Sequence, residues 1–413
     1  MSRIFQTQED EYHYFNGYYD KSPLSFNSSK LLALRVKFCD HLPNGDEITE
    51  IGYINWQDSN EFVKLSETRA WNWQQGCMLQ WYDDSHIIYN DIDNNKFVSV
   101  LFNLNTKEKT VLNMALYTLC REKEFALCID NERHYWFRGG YSYRGVVNES
   151  KNKIFDEDDG IWYLDIKENI AKQILTLKEL VNFKPLSTMK NTIHYVEHLM
   201  INPSGDRFCF LHRWKLDDGG IYSRLFTCNI DGSDLYLLHD NGKMSHFNWK
   251  NNNEIIAYGI VANSINKIRK YKNLVKLFIK PLLPLYHKLV KDGTNISKVI
   301  AGNSYMILKD KAKEIVKINH TISNDDGHPS WINGTNSFIS DTYPTKINNH
   351  KAKLFIFNLD TQKEILIDEL DSIKEFDNSA MRCDLHPKLS FDQKYICIDA
   401  MHNKKRDIFI YEI

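Results

Sequence analysis

The chain lacks any stretch of about 18 consecutive apolar residues, so no transmembrane helix is expected. Its first residues, Met1–Glu11, hold no apolar run of the kind a secretion signal needs. It also lacks an excess of charge of either sign: 52 Lys and Arg stand against 54 Asp and Glu, a net charge of −2. Nothing global therefore points to nucleic acid as a partner. Cysteine is present but shows no pairing pattern. The eight cysteines, at 39, 77, 120, 128, 209, 228, 383 and 397, include no CxxC motif, which argues against disulfides and against a cysteine zinc site. These absences together lead to the expectation of a cytoplasmic protein with buried, reduced thiols.

At 413 residues the chain exceeds one ordinary compact core, so it holds either several domains or a repeat array with a shared core. Aromatic residues reach 13%, which suits β structure and also suits stacking on sugars. One short unit recurs four times. His386-Pro387 leads through Asp392 into the alternating strand Tyr395–Asp399. His328-Pro329 leads through Asn333-Gly334 to Ser337–Asp341, His198 through Pro203–Asp206 to Arg207–Leu211, and His246 through Asn251–Asn253 to Ile255–Tyr258. Further units begin near Tyr12, Trp71 and Tyr117. Short strands, turns rich in Asn, Asp and Gly, and a spacing of about 40–60 residues are the signature of propeller blades. The expected fold is all-β: one β-propeller domain over 1–413, of about seven four-stranded blades, with six or eight also compatible. Innermost strands line the channel of a propeller, so four histidines at matched positions converge on one axial cavity.

One segment, 264–292, breaks the pattern. Asn266–Lys291 carries eight Lys and Arg and no acidic residue, with Ile268, Tyr271, Leu274, Val275, Phe278 and Ile279 at helical spacing before Pro281 and Pro284. This predicts a basic amphipathic helix inserted between blade strands. It is either a helix packed on the flank of the propeller or an anchor on an anionic membrane surface. The second choice makes the protein peripheral at the inner face of the membrane.

Asp384 adds a carboxylate two residues before His386. His246, His328, Asp384 and His386 are therefore a candidate N/O site for a divalent metal ion, Zn or Mn among the options. The alternative is that His-Pro only opens a blade and its imidazole bonds backbone carbonyls. Tyr18, Tyr19, Asp20, Trp71, Trp73, Gln74 and Gln75 form a second cluster, whose aromatic faces, amides and carboxylate suit a pyranose ring or, equally, blade packing. His212 reads as structural.

In this order the histidine units resemble the oligogalacturonate lyases and related seven-bladed polysaccharide lyases. The resemblance is carried by His198 with Asn202-Pro203-Ser204-Gly205, by Arg224-Leu225-Phe226 and Asn229–Gly232, by Ser245–Trp249, and by His386-Pro387. It implies a histidine base at His198, an arginine for the substrate carboxylate, and metal-binding histidines at His246 and His386. Where that family has a His-Pro-His-Pro run, this chain has Asp384-Leu385-His386-Pro387, an aspartate in place of one metal histidine. The Ser-x-Asp-x-Gly-x-Thr-Trp boxes of sialidases are missing.

The implied chemistry is β-elimination from an acidic, uronate-containing glycan. A base removes the proton α to the carboxylate, and a metal ion or an arginine neutralises that carboxylate. His198 suits the base, with an ordinary pKa near 6.5, and Arg224 or Arg213 suits the clamp. A second reading stays open: a non-catalytic glycan-binding or scaffolding propeller in surface-polysaccharide assembly.

Overall fold

A computed structural model describes residues 1–146, 153, 155–156, 158–217, 219–261, 302–318, 326–377 and 379–413. The basic segment 264–292 lies outside the described residues. What is described forms seven four-stranded antiparallel sheets. Blade 1 is β2 (His13–Phe15), β3 (Leu31–Val36), β4 (Thr49–Ile54) and β5 (Phe62–Thr68). Blade 2 is β6 (Gln80–Trp81), β7 (His86–Asp93), β8 (Lys96–Asn103) and β9 (Lys109–Leu112). Blade 3 is β10 (Leu116–Cys120), β11 (Phe125–Cys128), β12 (Gly160–Asp165) and β13 (Ile170–Thr176).

Blade 4 is β14 (His194–Ile201), β15 (Arg207–Lys215), β16 (Ile221–Asn229) and β17 (Tyr236–Gly242). Blade 5 is β18 (Met244–Trp249), β19 (Glu254–Ile260), β20 (Asn303–Lys309) and β21 (Ile315–Lys317). Blade 6 is β22 (Ser330–Ile332), β23 (Ser337–Asp341), β24 (Lys351–Asn358) and β25 (Lys363–Asp371). Blade 7 is β26 (Lys388–Leu389), β27 (Tyr395–His402) and β28 (Lys405–Glu412), completed by β1 (Arg3–Gln6) from the other end of the chain.

Each sheet is packed between two others, so its middle strands are buried on both faces. That is why β15 and β27 read as nearly continuous apolar runs, whereas the outer β25 is largely polar and solvated. β1 pairs with β28 in the register Phe5↔Ile410 and Gln6↔Phe409, and the Thr7 hydroxyl donates to Asp407 at 2.8 Å. This pairing closes the ring and removes two free sheet edges. The sequence pattern carried no sign of it.

The helix expected over 264–292 lies outside the described residues. Among the described residues helix comprises α1 (Asn131–Arg138), inserted between β11 and β12, and the single turn-and-a-half of α2 (Leu177–Asn182) after β13. Asp130 caps α1 by accepting from the Arg133 amide, and Thr176 with Glu179 makes a capping box on α2.

Candidate active site

Two devices bring the histidines to the axis. His198 and His246 sit on the inner strands β14 and β18, each inside a break of register with the next strand. A bulge of this kind re-aims a side chain that regular alternation would send into the blade. His328 and His386 lie just before the short inner strands β22 and β26. His198 and His386 also adopt left-handed backbone conformations, with φ of 55° and 45°, so Asp384 and His386 converge through a bend instead of through strand alternation.

Tyr18 is the hub. Its ring stacks on His198 with centroids 5.4 Å apart, and its hydroxyl lies 2.7 Å from Nδ1 of His198. The rings of His386, His328 and His246 lie 5.2, 6.1 and 6.4 Å from it. The chain can bring Tyr18 there because Asn16 and Gly17 donate their amides to Asp399 of blade 7 at 2.8 and 3.2 Å. Gly17 has φ of 113°, and a Cβ on it would fall 2.6 Å from the Gln75 carbonyl, so only glycine fits this turn. Tyr19 donates its hydroxyl to the Phe247 carbonyl at 2.7 Å, and its ring lies 5.2 Å from His328.

His246 and His328 have ring centroids 4.1 Å apart, and His328 and His386 4.3 Å apart. Donor atoms of His328, Asp384 and His386 all lie within 4.8 Å of one another. Carboxylates stand behind two of the rings. Asp341 accepts from Nδ1 of His328 at 2.9 Å and from the His386 amide at 3.2 Å. Asp326 lies 3.2 Å from Nδ1 of His246. This arrangement leaves Nε2 of both rings pointing away from their carboxylates, as in metal-ligating histidines. Nε2 of His386 is buried with no hydrogen-bond partner. Two imidazoles and a carboxylate, those of His328, His386 and Asp384, therefore form a set that fits a divalent transition metal, with the His246 ring packed beside His328. Asp384 is held by the fork of Arg382, which fixes the carboxylate in place.

Burial sets the protonation states. His198 and His386 are held well below the usual histidine range by desolvation, and His246 is pushed down to about 4 by burial and the neighbouring His328. Burial thus favours the neutral form of these three imidazoles, the form that binds metal or accepts a proton. Burial raises the Tyr18 phenol, which stays protonated. Glu197, beside His198, is fully buried. Burial alone would raise its pKa, but Arg213 and Arg138 outweigh this and keep it an anion.

Two insertions cover the cluster. One is α1 with its following turn: His134 and Arg138 approach Glu197 at 3.2 and 3.5 Å, and the Arg138 guanidinium lies 4.2 Å over Tyr141. The other is 379–384, where Arg382 lies 3.9 Å over the ring of Tyr343. Gln74 holds this second cover by donating to the carbonyls of Ala380 and Arg382 at 3.1 and 2.8 Å. The two meet at Gly140, where an added Cβ would lie 2.1 Å from that of Ala380. Beneath them the four histidines are only 1–4% exposed.

Several residues singled out in the sequence lie elsewhere. Arg224 is on β16, two strands out from β14, and its guanidinium donates to the Phe183 carbonyl at 2.9 Å and faces Asp240. It is fully buried there and makes no contact with the histidines. Arg213 is committed to Glu197 and to the Met244 carbonyl. Trp71 and Trp73 pack against Phe15 in a core between blades, with their indole N–H groups donating to the carbonyls of Glu47 and His41, so neither offers a face to a sugar. Gln75 donates to the Tyr117 hydroxyl, which also receives the His198 amide. Asp20 pairs with Lys21 on the far side of Tyr19.

Asp326, Asp341, Arg138, Tyr141, Tyr343 and Arg382 were not legible beforehand. The only signals were that Asp341 closes the His328 unit and that Glu197 adjoins His198.

The fold and axial cluster define a seven-bladed propeller with a buried histidine-carboxylate chamber on its axis. No protein-family model and no curated protein matches the chain. Among solved structures it is similar to oligogalacturonate lyase from Vibrio parahaemolyticus, at 11% identity over 98% of this chain and 91% of that one, with a TM-score of 0.58. It is also similar to tricorn protease, at 10% identity over 98% of this chain and 34% of that one, with a TM-score of 0.51. A prolyl endopeptidase is similar at 6% identity, over 99% of this chain and 47% of that one, with a TM-score of 0.50. At such identities the likeness is one of fold, shared by a lyase and by peptidases alike.

Proposed function

We propose that the chain is a carbohydrate-active propeller that carries out metal-assisted β-elimination on a uronate-containing glycan. The observation that carries this reading is the convergence of His198–Tyr18 with His246, His328, His386 and Asp384 in one chamber. His328, Asp384 and His386, with His246 beside them, would hold the divalent ion. When bound, it would supply a positive charge that stabilises the enolate-like transition state at the substrate carboxylate. In the tautomer with the proton on Nδ1, His198 donates to the Tyr18 oxygen, and its Nε2 is free to accept the α proton. The Tyr18 hydroxyl hydrogen is then free to pass to the departing oxygen. Arg224 and Arg213 are engaged elsewhere and Arg382 is held by Asp384, so Arg138, whose Nε lacks a hydrogen-bond partner, is the arginine left to meet a carboxylate.

The test is incubation of the metal-loaded protein with a panel of uronate oligosaccharides. The expected result is ultraviolet absorbance from a 4,5-unsaturated product, abolished in His198→Ala. A second reading, a glycan-binding or scaffolding propeller with a metal-stabilised hub, is favoured by the near-complete burial of the histidines. Stoichiometric metal without any unsaturated product across the panel would select it.

A further inference from the structure

The axis has a second mouth. On the side of Tyr18–Tyr19 away from the histidines lies a cavity of about 450 Å³ to which all seven blades contribute. This falls within the range of roughly 300–1,000 Å³ usual for small-molecule sites. Its floor is Tyr19 and the Asp20–Lys21 ion pair, whose side chains are 7% and 6% exposed. Its wall is largely polar, with Asn248, Ser330 and Gln393 among the lining residues.

One cation on this wall is unaccounted for. Arg121, at the end of β10, reaches across the mouth to Phe391 of blade 7 and Phe26 of blade 1, with its guanidinium carbon 4.8 and 5.5 Å from their ring centres. The two rings are themselves stacked at 4.3 Å. Among the described residues no carboxylate lies within ion-pair distance of Arg121, although the charge of the adjacent Glu122, also on the wall, acts on it, and its Nε is buried without a hydrogen-bond partner. The hydroxyl oxygen of Ser22, also on the wall, is buried and unpartnered. A guanidinium fixed by stacking and left with free N–H groups at the rim of a polar cavity is arranged to receive an anion bidentately.

We infer that this second mouth is a binding site for a small carboxylate ligand of the size of one sugar-acid ring, with Arg121 gripping the carboxylate and the polar wall facing the ring. Tyr18 and Tyr19 separate it from the histidine chamber, and its occupancy requires neither metal nor turnover. The test is calorimetric titration of the metal-free protein with glucuronate and galacturonate, with glucose and galactose as neutral counterparts. The acids are expected to bind and the neutral sugars not. Arg121→Gln should weaken binding by tenfold or more, and Arg121→Lys, which keeps the charge but loses the fork, by less. His386→Ala should leave binding unchanged, and circular dichroism should show all three variants folded. Acid binding lost in His386→Ala but kept in Arg121→Gln would place the ligand in the histidine chamber and overturn the inference. Equal binding of neutral sugars, or no binding of either acid, would overturn it as well.

Discussion

Asp341 offers the sharpest test of how the histidine chamber is built. Its carboxylate is fully buried and accepts three N–H groups: the His328 amide at 2.7 Å, the His328 Nδ1 at 2.9 Å and the His386 amide at 3.2 Å. Asp341→Asn keeps the shape but removes the charge and turns one acceptor into a donor. At least one of the three N–H groups then faces another donor. A hydrogen bond to a charged group contributes about 1.5–3 kcal/mol, and a buried donor without a partner costs about 1–3 kcal/mol. The variant should lose about 2–4 kcal/mol in denaturant unfolding, with an unchanged m-value. Because the same carboxylate orients His328, divalent-metal affinity should fall by about 10–100-fold, read by competition with a chromophoric chelator. Loss of stability with wild-type metal affinity would show that His328 is no ligand. No loss of either would refute the reading of Asp341 as the anchor of the chamber.

Three further outcomes follow from other parts of the chain. Gly140→Val should wedge apart the covers at Ala380, lowering stability by about 1–3 kcal/mol. Diethyl pyrocarbonate should then modify the chamber histidines faster, and an unchanged labelling rate would mean that the seam does not control access. His239, buried against the Ile260 carbonyl at 2.8 Å, is pushed down to about 4 from 6.5 by burial. Between those pH values the unfolded chain binds a proton that the folded chain does not, so stability should fall as pH drops through that window, by on the order of 3 kcal/mol in total. His239→Gln should flatten that part of the stability–pH curve. The eight cations of 266–291 should make the protein co-sediment with acidic vesicles at low salt and release it as salt rises; indifference to such vesicles removes the membrane from the picture.

The fold was legible because it repeats. A His unit, a polar turn and an apolar strand, met four times, gave the blade and its orientation, and with them the convergence of His198, His246, His328 and His386. What does not repeat was not legible. Closure by Arg3–Gln6 has no local pattern of its own, since any short apolar strand could close the ring. Arg138, Tyr141 and Arg382 stand on insertions unique to their blades, so periodicity said nothing about them. Trp71 and Trp73 misled for the opposite reason: composition cannot separate an aromatic in a core from one on a binding face. Arg224 was one turn of reasoning short, because a position on the third strand of a blade lies roughly 10 Å from the inner strand whatever its residue type.

The backbone at the histidines bears on whether the chamber exists to bind something. Many other non-glycine residues with positive φ lie in turns and are Asn or Lys, as at Asn94, Asn95, Asn169 and Asn403, where the strain is small and solvent is near. His198 and His386 adopt the same conformation while buried at 3% and 2% exposure, a state that costs about 1–3 kcal/mol for each residue. His386 adds a buried Nε2 with no partner, worth about 1–3 kcal/mol more in lost hydration. A histidine serving only as packing would gain by giving way to Asn or Gly at such a φ, or to an apolar residue at such a depth. Three such costs at one locus, around a phenol shared by four rings, are offset if the imidazoles grip a ligand that the bare chain does not supply. Metal loading tests this: the expected outcome is a rise in melting temperature on adding a divalent ion, lost in His386→Asn, and the absence of any rise would refute a metal as that ligand.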